Sequence, residues 1–227
     1  MRILIFGTVY ADTEEKQRLA AQWCELHSKN RDCTLMLVDS ASPFSVERLG
    51  AGVVQLGDNI GHLARTGQDG WGRAFCAGLE RAIAWNYDYV VHIEGDSLFR
   101  HPVMKFCEFM EKQELRTFVT TVHGTKFVEY DWIETGIMFF SVPYIKDSKF
   151  IERYNWPDGA SKKYPHTPEN VIWNMLHADD ALDVVPIQTI RDDRNQLTTS
   201  SVKHYCWITH TKPEIYDAFV ASTLVEA

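Results

Sequence analysis

No apolar run in this 227-residue chain approaches the ~20 residues that a membrane span requires. Met1 to Val9 is apolar but short, and it runs into Tyr10-Ala11-Asp12 without a small-residue cleavage site. It reads as a first strand rather than a signal peptide. Cysteine is scarce and unpatterned. Cys24, Cys33, Cys76, Cys107 and Cys206 are odd in number, and no C-x-x-C occurs. That argues against a disulfide framework and predicts reduced thiols in an intracellular, cytoplasmic protein. Basic charge is also lacking. The formal net charge of -8 disfavours a nucleic-acid surface, although a bound metal inverts the local sign and leaves a small phosphate-bearing substrate open. There is no internal repeat, heptad or low-complexity linker. No G-x-G-x-x-G follows the first strand and no Walker lysine motif exists, so Gly7-Thr8-Val9-Tyr10 is not a phosphate cradle of either kind.

What is present is an ordinary soluble composition, 45% hydrophobic and 24% charged, enough for one large domain over residues 1–227. Aromatic residues are plentiful and suit stacking on bases and sugars as well as core packing. Arg2 to Val9 reads as a strand, and Thr13 to Ser28 as a helix capped by Asp12 or Thr13. Cys33 to Val38, ending at Asp39, and Gly52 to Leu56 read as two more strands. Gly57 to Gly72 is a polar, glycine-bearing loop, long enough to suggest function. Arg73 to Trp85 is a helix whose Ala74, Ala77, Gly78 and Ala82 are small enough to lie close against a sheet. Beyond Pro102 the pattern predicts a helix to Glu114 and strands at Thr117 to Val122, Lys126 to Tyr130 and Gly136 to Val142. A short helix or turn starts at Pro143. A loop at Trp156 to Pro168, a helix at Glu169 to His177, a strand at Leu182 to Ile190 and a last short helix after Pro213 complete the chain. The order β-α-β-β-α-β followed by mixed strands predicts an α/β protein with a mostly parallel sheet in its first half and an antiparallel component in its second.

The chain is organised around Tyr87-Asp88-Tyr89-Val90-Val91-His92-Ile93-Glu94-Gly95-Asp96. An apolar, β-branched run of this kind is a buried central strand. Its carboxyl end carries two carboxylates, and in an open α/β sheet that end is where ligands bind. In extended chain, residues two apart point the same way, so Glu94 and Asp96 are expected to aim at one point. Paired carboxylates repel and call for a proton or a hard cation such as Mg²⁺ or Mn²⁺.

Four segments together resemble the GT-A glycosyltransferases that use nucleotide-sugar donors. Glu94-Gly95-Asp96 is similar to their D-x-D metal motif, with Glu94 in place of the first Asp. Asp58-Asn59-Ile60-Gly61 precedes a small-residue helix, Gly72-Arg73-Ala74-Phe75-Cys76-Ala77-Gly78. Glu134-Thr135-Gly136-Ile137-Met138-Phe139-Phe140 resembles the acceptor-side segment, and His210-Thr211-Lys212-Pro213 resembles a late metal-ligand and phosphate segment. The likeness runs from the first strand to about Pro213. It implies a GT-A-like fold with a Rossmann-type, mostly parallel sheet flanked by helices. A nucleotide-sugar half would occupy residues 1–100. Residues 101–227 would form a smaller, mixed or antiparallel acceptor half with a metal- and phosphate-binding tail.

The resemblance further implies Mn²⁺ or Mg²⁺ on Glu94, Asp96 and His210, and base contacts from Thr8 and Tyr10. Asp39 would accept from a base N–H or a ribose hydroxyl, or else cap a turn. Asp58 and Asn59 would meet the donor or form a tight turn, Arg73 and Lys212 would meet the diphosphate, and Trp71 and Trp132 are candidate sugar platforms. Glu169 and Glu134 are the candidate catalytic carboxylates, with Asp131 as a third. One of them would remove the acceptor proton if the anomeric centre inverts, or position the substrates if it is retained. The expected activity is transfer of a hexose-like sugar from a nucleoside diphosphate, UDP before GDP, to a hydroxyl of a saccharide or glycoconjugate. The alternatives are a silent nucleotide-sugar-binding domain, a sugar-1-phosphate nucleotidylyltransferase and a DNA-modifying glycosyltransferase. The polar stretch from Arg191 to Ser201 is expected to order on donor binding, and the core strands are expected to precede Val202.

Overall fold

The computed structural model describes residues 1–60, 68–100, 102–119, 133–154, 167–183, 189–191, 207–209 and 212–223. The first half runs β1 (Ile3–Val9), α1 (Glu14–His27), β2 (Cys33–Asp39), β3 (Gly52–Gln55), α2 (Gln68–Ala84) and β4 (Tyr89–Ile93). The second half runs β5 (Leu98–Phe99), α3 (Val103–Lys112), β6 (Thr117–Phe118), β7 (Ile137–Ser141), α4 (Val142–Asp147) and α5 (Phe150–Tyr154). It ends with α6 (Pro168–Ala178), β8 (Thr189–Arg191), β9 (Trp207–Thr209) and α7 (Pro213–Thr223).

Alternation along β1 divides it between two cores. Ile3 and Ile5 pack with Ala20, Trp23 and Cys24 of α1, while Leu4 and Phe6 pack with Ala74, Phe75 and Ala82 of α2. A strand covered on both faces is buried throughout, and β4 is buried at all five positions. The main sheet has the order β3-β2-β1-β4-β7-β6. β1 pairs in parallel with both β2 and β4, β2 pairs in parallel with β3, and β7 is antiparallel to both β4 and β6. The chain therefore steps outward from β1 through β2 to β3 and returns to the other side of β1 as β4. That reversal opens a crevice between the carboxyl ends of β1 and β4. The close fit of α2 rests on Gly78: a Cβ there would lie 2.2 Å from the Phe6 ring. A smaller sheet, β5-β9-β8, pairs β5 antiparallel and β8 parallel to β9.

Several boundaries differ from the sequence pattern. α2 starts at Gln68, so Gly70, Trp71 and Gly72 are helical rather than loop. Gly72 is tolerated there because Tyr154 packs onto it, with ring atoms 3.0 Å from where a Cβ would be. The acid pair is not extended chain. β4 ends at Ile93, and Ser97 N–H closes a turn on the Glu94 carbonyl at 2.9 Å. α6 starts at Pro168, where proline fits a first helical position. Thr13 rather than Asp12 caps α1, accepting from Lys16 N–H at 3.2 Å, while Asp12 pairs with Lys16 Nζ at 2.7 Å. Leu182 and Asp183 are not strand, although the Asp183 carbonyl accepts from Val119 N–H at 3.1 Å. The strand expected at Lys126 to Tyr130, most of the loops at 156–168 and 191–201, and residues 61–67 lie outside the described residues. So do Asp131, Trp132 and His210.

Elements beyond Val202 also contribute to the core. Ile215, Tyr216 and Phe219 of α7 pack on Leu19 and Leu26 of α1 and on Leu98. The two helices are further joined by Arg18–Asp217 at 2.6 Å and by the Tyr216 hydroxyl donating to the Gln22 carbonyl. No helix among the described residues is long and apolar enough to cross a membrane.

Candidate functional site

The crevice between β1 and β4 opens into a cavity of about 720 Å³. The end of β1 supplies Thr8, Val9 and Tyr10, and the turn after β4 supplies Glu94, Gly95 and Asp96. The first turns of α1 add Thr13 and Lys16, α2 adds Trp71, and the β2 and β3 ends add Ser40 and Asn59. Thr8, Tyr10, Asn59, Glu94, Asp96 and Trp71 were named from the sequence, and the fold brings them to one cavity. Lys16 and Ser40 were not. Lys16 lies over the Tyr10 ring, 5.9 Å from its centroid, and lines the cavity while its Nζ pairs with Asp12 at 2.7 Å. Its signal in the sequence was only its place one turn into the helix after β1.

Trp71 Nε1–H donates to a Glu94 carboxylate oxygen. The indole also stacks on Phe75, with centroids 4.8 Å apart, which fixes its edge toward the turn. Glu94 is therefore held by a neutral donor on α2, and Asp96 follows it on the cavity wall. Among the described residues no group of three His, Cys, Asp or Glu side chains is placed to hold a metal ion. A two-carboxylate edge is nonetheless the donor set that Mg²⁺ or Mn²⁺ accepts, because such ions keep waters and complete their shell with substrate phosphate.

Beneath the turn lies His92, fully buried among the rings of Phe6, Phe75 and Trp71 at 4.9–5.5 Å. Burial pushes its pKa down to about 3, against smaller upward pulls from the Thr135 carbonyl and from Asp96. Its Nδ1 lies 3.0 Å from the Thr135 carbonyl and its Nε2 3.3 Å from Thr8 Oγ1.

The other expected residues are placed differently. Asp39 is buried, and its Oδ1 accepts from Ser42 N–H at 3.0 Å and from the Ser42 hydroxyl at 2.5 Å. Of its two expected roles the structure shows the turn cap; its neighbour Ser40 reaches the cavity wall. Asp58 and Arg73 pair with each other at 2.5 Å, are both exposed, and are not among the residues lining the cavity. Lys212 is exposed, and its carbonyl accepts from Tyr216 N–H at 2.9 Å. Glu134 is buried just before β7, with Oε1 accepting from Gly136 N–H at 3.2 Å. The Gly136 carbonyl in turn accepts from Glu94 N–H at 2.8 Å, so Glu134 stands at the same sheet edge as the acid turn. Glu169 sits in the first turn of α6, half-buried, and its Oε2 has no hydrogen-bond partner among the described residues. Burial raises the nearby Tyr154 hydroxyl well above its ordinary pKa, and the charges of Cys76 and Glu169 add to that rise.

The architecture recurs in solved structures. The S. aureus TarS fragment 1–349 matches with a TM-score of 0.56 at 12% identity, covering 100% of this chain and 66% of that one. The fold is GT-A-like. The same fragment solved with UDP matches with a TM-score of 0.55. A glycosyltransferase involved in glycosylating the major capsid of PBCV-1 matches at 0.51 and 10% identity, covering 99% of this chain and all of that one. A putative glucose-1-phosphate thymidylyltransferase from Bacillus anthracis matches at 0.55 and 12% identity, covering 98% and 95%. This chain thus spans just under two thirds of the TarS fragment. No family model matches the sequence, and no curated protein matches it.

Proposed function

We propose that the protein transfers a sugar from a nucleoside diphosphate, UDP before GDP, to a hydroxyl of a saccharide or glycoconjugate acceptor. The observation that carries this reading is the cavity at the β1/β4 reversal, with an acidic turn on one wall and Tyr10, Lys16 and Trp71 on the others. Its size suits a nucleotide sugar. The GT-A-like likeness to TarS solved with UDP and to the PBCV-1 glycosyltransferase supports the same class. In this reading Tyr10 stacks on the base and Thr8 bonds its edge. Asn59 and Ser40 meet ribose or sugar hydroxyls. Lys16, with the amino end of α1, lies on the anionic side of the donor. Asp96 and Glu94 would hold Mn²⁺ or Mg²⁺, which when bound neutralises charge on the leaving diphosphate. Trp71 keeps the Glu94 carboxylate aimed, and Glu134 or Glu169 takes the acceptor proton or positions the acceptor. His210 would complete the metal site and Lys212 would approach the phosphates.

A thermal-shift panel of nucleoside diphosphates with and without Mn²⁺ tests the reading. UDP should raise Tm only when the metal is present, and Asp96→Ala should abolish both that shift and sugar transfer while leaving the circular dichroism spectrum unchanged. Full turnover in Asp96→Ala would remove the acidic turn from the mechanism. A second reading, a sugar-1-phosphate nucleotidylyltransferase, is favoured by the thymidylyltransferase likeness. Against it, the segment after β1 carries Tyr10 and the α1 cap instead of a glycine-, arginine- and lysine-rich loop. Release of pyrophosphate from UTP or dTTP with a sugar 1-phosphate would identify that activity.

A further inference from the structure

The peptide unit that leads into the acidic turn is held at both ends. Its N–H, belonging to Glu94, donates to the Gly136 carbonyl on the β7 side at 2.8 Å. Its carbonyl, belonging to Ile93, therefore points the opposite way, towards β1. β1 does not take it. The ladder between β1 and β4 ends at Phe6 and His92, short of the Gly7–Ile93 pair that would use this oxygen, whereas the pairing of β1 with β2 runs on to Val9 and Asp39. The Ile93 carbonyl instead accepts from the indole Nε1–H of Trp23 on α1, at 3.1 Å. Trp23 is fully buried and reaches this oxygen across Gly7. A Cβ on Gly7 would lie 2.9 Å from Cζ2 of the indole and 3.0 Å from the Ile93 oxygen, so only glycine leaves room for both.

We propose that Trp23 is a positioning residue for the acidic turn: through the opening left by Gly7 it holds the Ile93 carbonyl and so sets where Glu94 and Asp96 stand on the cavity wall. The inference rests on the nucleoside-diphosphate reading above and deepens it. A planar peptide bonded on both sides does not swing, so the chain enters Glu94 in a fixed direction. From the other face of the sheet, Trp71 donates to the Glu94 carboxylate. One tryptophan thus holds the main chain of the turn from α1, and the other holds its side chain from α2. Both donors are indole N–H groups, which do not titrate, so the hold is the same across the working pH range. Carboxylates fixed in advance lose less conformational entropy when a cation and a diphosphate arrive. Freeing the Ile93 carbonyl should therefore weaken binding at the turn even where the fold survives.

The test follows Mn²⁺ binding by electron paramagnetic resonance at a fixed concentration of UDP. Trp23→Phe keeps a ring in the core and removes the donor. It should raise the half-saturating Mn²⁺ concentration roughly fivefold, about the effect of one hydrogen bond, with the far-ultraviolet circular dichroism spectrum unchanged. Gly7→Ala should displace the indole and give the same loss. Gly7→Ala combined with Trp23→Phe should lose no more than Trp23→Phe alone, and additive losses would overturn the proposal. A merely structural role for Trp23 would lower Tm and leave the Mn²⁺ requirement as it is in wild-type protein, which would also overturn it. Should Trp23→Phe not fold, 3-benzothienylalanine in place of Trp23 decides, because it keeps the bicyclic shape and lacks only the N–H. It should show the same loss, and a wild-type Mn²⁺ requirement would overturn the proposal. An unchanged requirement in these variants overturns this inference alone, whereas wild-type protein that binds no nucleoside diphosphate with Mn²⁺ overturns the parent reading with it.

Discussion

His27, in the last turn of α1, is 1% exposed, and burial pushes its pKa from 6.5 down to about 3. The folded chain keeps this ring neutral while the unfolded chain protonates it. Its contribution is therefore intact above pH 6.5 and is lost as pH falls from there towards 3, at about 1.4 kcal/mol per pH unit. Replacing it with leucine should make the loss of unfolding free energy between pH 6.5 and 4.5 smaller by about 2–3 kcal/mol, read from urea titrations at the two pH values. Trp71 offers a second test at this scale. Trp71→Phe retains a ring against Phe75 but removes the donor to Glu94. A hydrogen bond to a charged group is worth about 1.5 kcal/mol, so Mn²⁺-dependent UDP affinity should fall roughly tenfold with little change in Tm. Loss of affinity on the same scale as Asp96→Ala would instead make Trp71 a direct donor contact.

At the scale of the element, α2 shows what a residue pattern conveys and what it leaves out. Its small residues announced a helix lying close against a sheet, and Gly78 against Phe6 is that contact. Gly78→Ala should therefore overpack a buried ring and lower stability by about 1–3 kcal/mol or more, measured as a shift in urea midpoint without a change in slope. The same helix begins earlier than its pattern predicts. Gly70 and Gly72 look like loop residues because glycine is a poor helix former, and at Gly72 the compensating contact comes from Tyr154 on α5. The acidic turn after β4 follows the same rule. The two acids were readable as a strand-end pair, but the hydrogen bond that curls them into a turn lies beyond the strand pattern.

For the molecule as a whole, the C-terminal helix is the part that local reading undervalued. Phe219 is fully buried against Leu19, Leu26 and Leu98, and Arg100 lies 4.4 Å from its ring centroid. Phe219→Ala should cost about 3–5 kcal/mol by urea denaturation and accelerate amide exchange in α1, although α7 follows every strand of the main sheet. An unchanged midpoint would show that α7 is dispensable to the core. The sequence by itself determined most strands of the main sheet and the long helices that cover it, which face of each is apolar, and that two carboxylates stand at the end of the central strand. All three follow from periodicity and apolar runs within a dozen residues. Only the tertiary structure decided which polar atoms remain available for chemistry. Glu94 is held by Trp71 from 23 residues away, Thr8 meets the ring of His92 from 84 away, and Arg18 is paired with Asp217 from 199 away. Strand order and helix placement create those partnerships. A hydrogen bond commits particular lone pairs and protons, so the character of the site emerges only once distant segments meet.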